Sequence, residues 1–242
     1  MNTLYFVAHR GLMQECPENS MLAFVRALEA GGVFLECDVH LSRDQIPVVI
    51  HDAELIRTSG LTGSVFDFDA KQLQEISVGY PDKFSERFAD QKIPLLSELV
   101  QLLNQWPAAK LFVELKRRSL NHYGRELMLQ KVLEQLVTVR DRVIIISFDY
   151  HVLEMAKRQG VESIGWVIER WDSQTRTLAE RLKPDFLFGD YHNLPTEGKP
   201  FWAGPWRWVI YDVVNPQIAA DLIARGVMVE SRDIKSLIKR EG

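Results

Sequence analysis

Two cysteines, Cys16 and Cys37, are all that the 242-residue chain holds. Two thiols make no disulfide framework, and these two fit no metal-ligand spacing. A cytosolic setting would keep both reduced. Basic residues are not in excess either: 29 Lys and Arg face 33 Asp and Glu, for a formal charge of -4. That excludes the broad basic face of a general nucleic-acid binder and leaves room only for a local cationic pocket. Long apolar runs are missing as well. None approaches the ~18 residues of a membrane span. The opening MNTLYFVAHRG has neither a basic lead nor an apolar stretch of secretory length. The expectation is a cytoplasmic protein with no membrane anchor. No repeat, linker or low-complexity tract interrupts the chain, and nothing in it specifies an oligomer.

What the chain has is a globular composition, 46% apolar and 26% charged, with length enough to bury a core unaided. Short, mostly apolar runs alternate with helical patterns, as buried parallel strands and their crossovers do. Strands are expected at 4–8, 33–38, 111–115, 143–147, 163–168, 186–189, 208–211 and 227–230. Leu99, Leu102, Leu103 and Trp106 recur at helical spacing behind Ser97, and Leu129, Val132, Leu133, Leu136 and Val137 repeat the pattern. A helix over 21–30 stops at Gly31-Gly32, Asp149 can cap one that runs to Gly160, and Pro216 opens one that Gly226 closes. The stretch between Asp190 and Arg207 is irregular. Eight strands alternating with about eight helices over ~250 residues point to a (β/α)8 TIM barrel. A doubly wound open sheet is the alternative, and its Gly-rich dinucleotide turn is absent.

One interval breaks the rhythm. After Asp38, VHLSRDQIPVVIHD turns at Ser42-Arg43-Asp44-Gln45 and returns as a second strand, too soon for a parallel crossover. That is a hairpin, and the stretch 53–94 behind it is too long for a plain connection. The whole of 1–242 is therefore expected to form one barrel domain, with a hairpin and small insertion after the second strand, at about 39–96.

Charge gathers where these strands end: His9-Arg10, Glu36-Cys37-Asp38, His51-Asp52 and Glu114-Leu115-Lys116. In a parallel barrel all carboxyl ends open on one face, where active sites sit. Glu36 and Asp38 are two apart and project to one side, as do Glu114 and Lys116. Carboxylates converging in a barrel mouth repel unless neutralised. An all-oxygen set suits magnesium, calcium or manganese over zinc. Any one of these features alone is ordinarily a salt bridge or a solvated face. Their joint occurrence is not, because barrel packing needs no charge there. His40 shares the alternation of Glu36 and Asp38 but lies nearer the turn and is expected at the surface. His122, His151 and His192 receive no role.

AHRG, PENS, FLECDVHLSRDQIPVVIHD, RTSGLTGSV, IPLLSELV and VELK, in this order, resemble the glycerophosphodiester phosphodiesterase family. ISFDYHVLEMAK is similar to its fourth strand and helix. The likeness spans nearly the whole chain and is densest from Val7 to Lys116. It implies a phospholipase-C-like phosphodiesterase barrel that hydrolyses glycerophosphodiesters to glycerol 3-phosphate and an alcohol. It also implies a divalent metal, Mg2+ or Ca2+ with Mn2+ as a further candidate, on Glu36, Asp38 and Glu114. His9 and His51 would be the acid–base pair, Arg10 and Lys116 would bind the phosphate, and Glu18 and Asn19 would brace the site. The attacking oxygen is either the glycerol 2-hydroxyl or water.

Two strands depart from the family pattern. The seventh reads WVIYDVVNP and the eighth GVMVESRD, with Met228 and Arg232 as misfits. By alternation Val209 and Tyr211 share one side of the seventh strand, and Trp208, Ile210 and Asp212 the other. Tyr211 is expected inward, where the family sets an aromatic residue against the glycerol. Asp212 is expected outward, at the rim or capping the helix that Pro216 starts, since an inward carboxylate would repel an anionic substrate. The rival readings are a related phosphodiesterase acting on lysophospholipids, with Tyr80, Phe84 and Phe88 lining a groove, and a silent barrel that binds glycerophosphodiesters.

Overall fold

The structure, a computed structural model, describes residues 3–194 and 200–238. Nine strands form its one sheet: β1 (Phe6–Ala8), β2 (Phe34–Leu41), β3 (Pro47–Val49), β4 (Lys110–Leu115), β5 (Val143–Ser147), β6 (Ile164–Val167), β7 (Phe186–Asp190), β8 (Arg207–Tyr211) and β9 (Met228–Ser231). All but β3 run parallel, and β1 pairs with both β2 and β9, which closes the ring. This is the expected (β/α)8 barrel, and closure rules out the open sheet.

Period-two alternation explains both surfaces of the ring. On β4, Leu111, Val113 and Leu115 pack outward with the helices, while Phe112 turns inward. Val7, Phe34, Ile146, Val167, Phe188 and Val209 fill the interior with it. Leu35, Cys37, Val39 and Leu41 likewise point outward on β2, so Glu36 and Asp38 between them face the barrel axis. The outer helices are amphipathic and capped as their sequences require. Ser20 accepts from Ala23 N–H at the start of Met21–Glu29, Asp149 from Val152 N–H before Tyr150–Arg158, and Asn215 from Gln217 and Ile218 N–H before Pro216–Ala224. Leu96–Gln105, Arg125–Leu136 and Ser173–Leu182 complete the long helices among the described residues.

The hairpin is β3, antiparallel to β2 with Val39 opposite Val49 and Leu41 opposite Pro47. The insertion behind it is a set of short turns over its own small core of Val48, Ile50, Leu55, Val65, Leu73 and Ile93. Tyr80, Phe84 and Phe88 stack edge-to-face in a row, and none of them lines the barrel-mouth cavity. Between β7 and β8 the helical turn Tyr191–Asn193 follows the strand, and part of the irregular stretch, 195–199, lies outside the described residues. Among the described residues no helix is long and apolar enough to cross a membrane.

Candidate active site

The first turn after β1 is strained by design of its sequence. Arg10 adopts φ 53° and Gly11 φ 78°. A Cβ on Gly11 would lie 2.6 Å from the Ala23 carbonyl carbon, so only glycine lets the loop pass against the helix Met21–Glu29. The sharp turn aims Arg10 back over the barrel. Its backbone N–H donates to Glu36 Oε2 at 3.0 Å, and Nη1 donates to Glu18 Oε1 at 3.0 Å. Its Nε sits 3.0 Å from Asp38 Oδ2 as an ion pair, without the alignment of a hydrogen bond. Asn19, also at positive φ, donates from Nδ2 to Asp38 Oδ2 at 2.8 Å. Lys116 Nζ lies 3.1 Å from Asp38 Oδ1 and 2.9 Å from Glu114 Oε1.

Glu36, Asp38 and Glu114 are buried, and one ligand oxygen from each lies within 4.8 Å of the others. Two ligands on one Mg2+ or Ca2+ ion, at roughly 2.0–2.6 Å each, stand no more than about 5 Å apart, so the three oxygens fit a single hard cation. Their charge balance fits it too. Burial, and then Asp38, push Glu36 well above the usual carboxylate range; burial also raises Glu114 against the pull of Lys116. Asp38 goes the other way: burial would raise it, but Lys116 and Arg10 hold it well below that range. The cluster thus carries more negative charge than its two cations relieve.

His9 and His51 open on the same cavity, of roughly 170 Å³, with Arg10, Lys116 and Tyr211. His51 Nδ1 lies 2.6 Å from Asp52 Oδ1, and Arg57 grips the other Asp52 oxygen. His9 is held differently. Burial, with Arg10 next, lowers it well below the usual imidazole range, and its Nδ1 makes no hydrogen bond among the described residues. Two carboxylates flank it, Asp212, which the sequence turned outward, and Glu230, which sequence reasoning passed over: Asp212 Oδ1 is 3.8 Å from Nδ1, and Glu230 Oε1 is 3.9 Å from Nε2. The rule that picked out Glu114, a carboxylate at the carboxyl end of a strand, points equally to Glu230 on β9.

Two expectations need correction. Asp212 does not turn away from the cavity. β8 ends at Tyr211, and Asp212 takes φ 62°, which breaks the alternation and lets both residues face the mouth. It stays at the rim, with its side chain 44% exposed, and the cap of the following helix is Asn215. His40 is not at the surface but 1% exposed, its Nδ1 2.8 Å from Ser119 Oγ and its Nε2 3.1 Å from the His51 carbonyl oxygen. The hairpin and the helix Arg117–Tyr123 fold over it, so nearness to a turn did not mean exposure.

A profile of the glycerophosphoryl diester phosphodiesterase family matches residues 9–194. The chain is 34% identical over 193 residues to a glycerophosphodiester phosphodiesterase of Caldanaerobacter subterraneus, covering 77% of each sequence. A Bacillus altitudinis enzyme of the same name is 35% identical over 150 residues, 61% of this chain and 59% of that one. In fold, the chain superimposes on an Oleispira antarctica phosphodiesterase in complex with its product sn-glycerol-3-phosphate. The TM-score is 0.83 over 96% of this chain and 94% of that one, at 23% identity. A Thermotoga maritima glycerophosphodiester phosphodiesterase gives 0.74 over 97% of each chain, at 22% identity.

Proposed function

The chain belongs to the glycerophosphoryl diester phosphodiesterase family, and we propose that it hydrolyses glycerophosphodiesters to glycerol 3-phosphate and an alcohol with a divalent cation bound among Glu36, Asp38 and Glu114. The observation that carries this reading is the convergence on one cavity of those three carboxylates, two imidazoles and the Arg10–Lys116 pair. Bound there, the cation supplies positive charge where the pentacoordinate phosphorus accumulates negative charge.

Arg10 and Lys116 hold the non-bridging phosphoryl oxygens and share in that neutralisation. His9, kept neutral by its burial and by Arg10, takes the proton of the attacking hydroxyl. His51, its Nδ1 turned to Asp52, makes no hydrogen bond from Nε2 among the described residues and delivers a proton from there to the departing alkoxide. The P–O bond to the alcohol breaks as the new P–O bond forms, and one proton is taken up and one released; where the glycerol 2-hydroxyl is the attacking group, water then opens the cyclic phosphate by the same exchange of protons to give glycerol 3-phosphate. Glu18 and Asn19 brace Arg10 and Asp38. Tyr211, inside the mouth, offers its ring to the glycerol carbons.

The test is release of glycerol 3-phosphate from several glycerophosphodiesters, before and after chelation. Activity abolished by chelator and restored by Mg2+, Ca2+ or Mn2+ is expected. Full turnover by metal-stripped protein would remove the metal from the reading, and release of free glycerol with a phosphomonoester would reverse the cleaved bond.

A further inference from the structure

The ionic frame of the site does not end at the barrel. Arg57, on the short helix Ile56–Ser59 of the insertion, is gripped by two carboxylates that serve different halves of the mouth. Its Nη1 and Nη2 donate to the two oxygens of Glu18 at 2.9 and 2.6 Å, and its Nε donates to Asp52 Oδ2. Each carboxylate then holds a residue of the cavity. Asp52 holds Nδ1 of His51 through its other oxygen, and Glu18 accepts from Arg10 Nη1. One guanidinium therefore joins the imidazole carried by the hairpin to the arginine carried by β1. The Arg57 guanidinium carbon also lies over the Tyr80 ring, 5.5 Å from its centroid.

This arrangement needs an arginine. The planar fork presents donors in two directions at once, bidentate to Glu18 and single to Asp52, whereas a single ammonium nitrogen cannot offer Glu18 a parallel pair of donors and reach Asp52 on the far edge as well. Without the fork, Asp52 is free to rotate away from His51. Glu18, buried in the wall, is then left to Arg10 alone and draws that guanidinium off the phosphate position.

We propose that Arg57 is a positioning residue for the hydrolysis: through Asp52 it sets the tautomer and orientation of His51, and through Glu18 it holds Arg10 over the substrate phosphate. The insertion is then part of the catalytic frame rather than a decoration of the rim. This rests on the reading that His51 and Arg10 serve the reaction.

The experiment compares Arg57→Lys, Arg57→Gln and Asp52→Asn with the wild type, all with saturating Mg2+, Ca2+ or Mn2+. The readouts are steady-state kinetics on one glycerophosphodiester and the ¹⁵N shifts of His51. Arg57→Lys is expected to lower kcat by roughly ten- to a hundred-fold, the scale of a slightly misplaced group, and to mix the two His51 tautomers. Combining it with Asp52→Asn should add less than threefold, because both act along one chain of contacts. Arg43→Gln is the control. Arg43 ties the hairpin to the insertion through Asp69 and Gln72, none of which lines the cavity, and its loss should leave kcat and the His51 shifts unchanged. The proposal is overturned if Arg57→Lys keeps kcat within twofold and an unchanged His51 signature, whatever its stability. Should Arg57→Gln fail to fold, Arg57→Lys and Asp52→Asn decide the matter alone. His51→Ala separates the two levels: an active variant overturns the underlying reading, while an inactive one beside a fully active Arg57→Lys overturns this inference only.

Discussion

Glu230 carries a carboxylate to the floor of the mouth, 3% exposed, and among the described residues no donor reaches it within hydrogen-bond distance. Burial is the first cause that raises it well above the usual range, with Arg10 opposing. A carboxyl raised in the folded state stabilises the fold at low pH and loses that contribution as pH rises toward its folded value. Replacing it with Gln is therefore expected to raise the Tm of chelator-treated protein, more at pH 8 than at pH 5. The gain should be on the order of 2–4 °C, the effect of about 1 kcal/mol in a chain this size. Thermal melts at the two pH values check this, and an unchanged or lowered Tm at pH 8 would mean that the carboxylate has an unseen partner. Asp212 and Tyr211 differ in kind. The Asp212 carboxylate is screened by its exposure, so Asp212→Asn should change kcat/KM by less than about tenfold. Tyr211→Ala removes an aromatic wall and should cost roughly ten- to a hundred-fold. Parallel kinetics on one substrate rank the two.

At the scale of elements, the hairpin of β2 and β3 is latched by His40. The ring takes the Ser119 hydroxyl on one nitrogen and the His51 carbonyl on the other, so it sits neutral, with a proton on Nε2. Burial lowers it from 6.5 to about 4. A histidine lowered in the fold contributes stability above its unfolded value, and that contribution is lost as pH falls from about 6.5 to about 4. The full effect is on the order of 3 kcal/mol. His40→Gln should lose less stability than the wild type between pH 7 and pH 4, as read by urea midpoints. Equal slopes for both proteins would show that the latch does not titrate. Protonation of His40 puts a proton on Nδ1, which can then no longer accept from the Ser119 hydroxyl, and buries a charge behind the hairpin, so acid should loosen this hairpin before the barrel strands, whose ladder hydrogen bonds carry no titratable group.

At the scale of the whole molecule, a closed ring gathers charge that no single strand tolerates, and a cation binding only the folded state stabilises all of it. Adding Mg2+ or Ca2+ at about a hundred times its Kd to stripped protein should raise the Tm by roughly 5–10 °C, and Asp38→Asn should blunt the rise. No shift with any divalent cation would sink the proposed centre. Much of this was legible beforehand. Parallel strands must be apolar on both faces, so short apolar runs marked the ring, and a charge ending such a run had to lie at its mouth. Period two then put Glu36 beside Asp38 and Glu114 beside Lys116 without any coordinates. What the sequence alone could not decide is who meets across the closure. β9 lies beside β1 with Ala8 opposite Ser231, and this brings Glu230 to His9 from the far end of the chain. A positive φ turns Asp212 against its own alternation, and two loops distant in sequence supply the carboxylates that Arg57 joins. Local patterns encode which way a side chain points along its own strand. The partners it finds there are chosen by ring closure and loop geometry, which are properties of the folded chain as a whole.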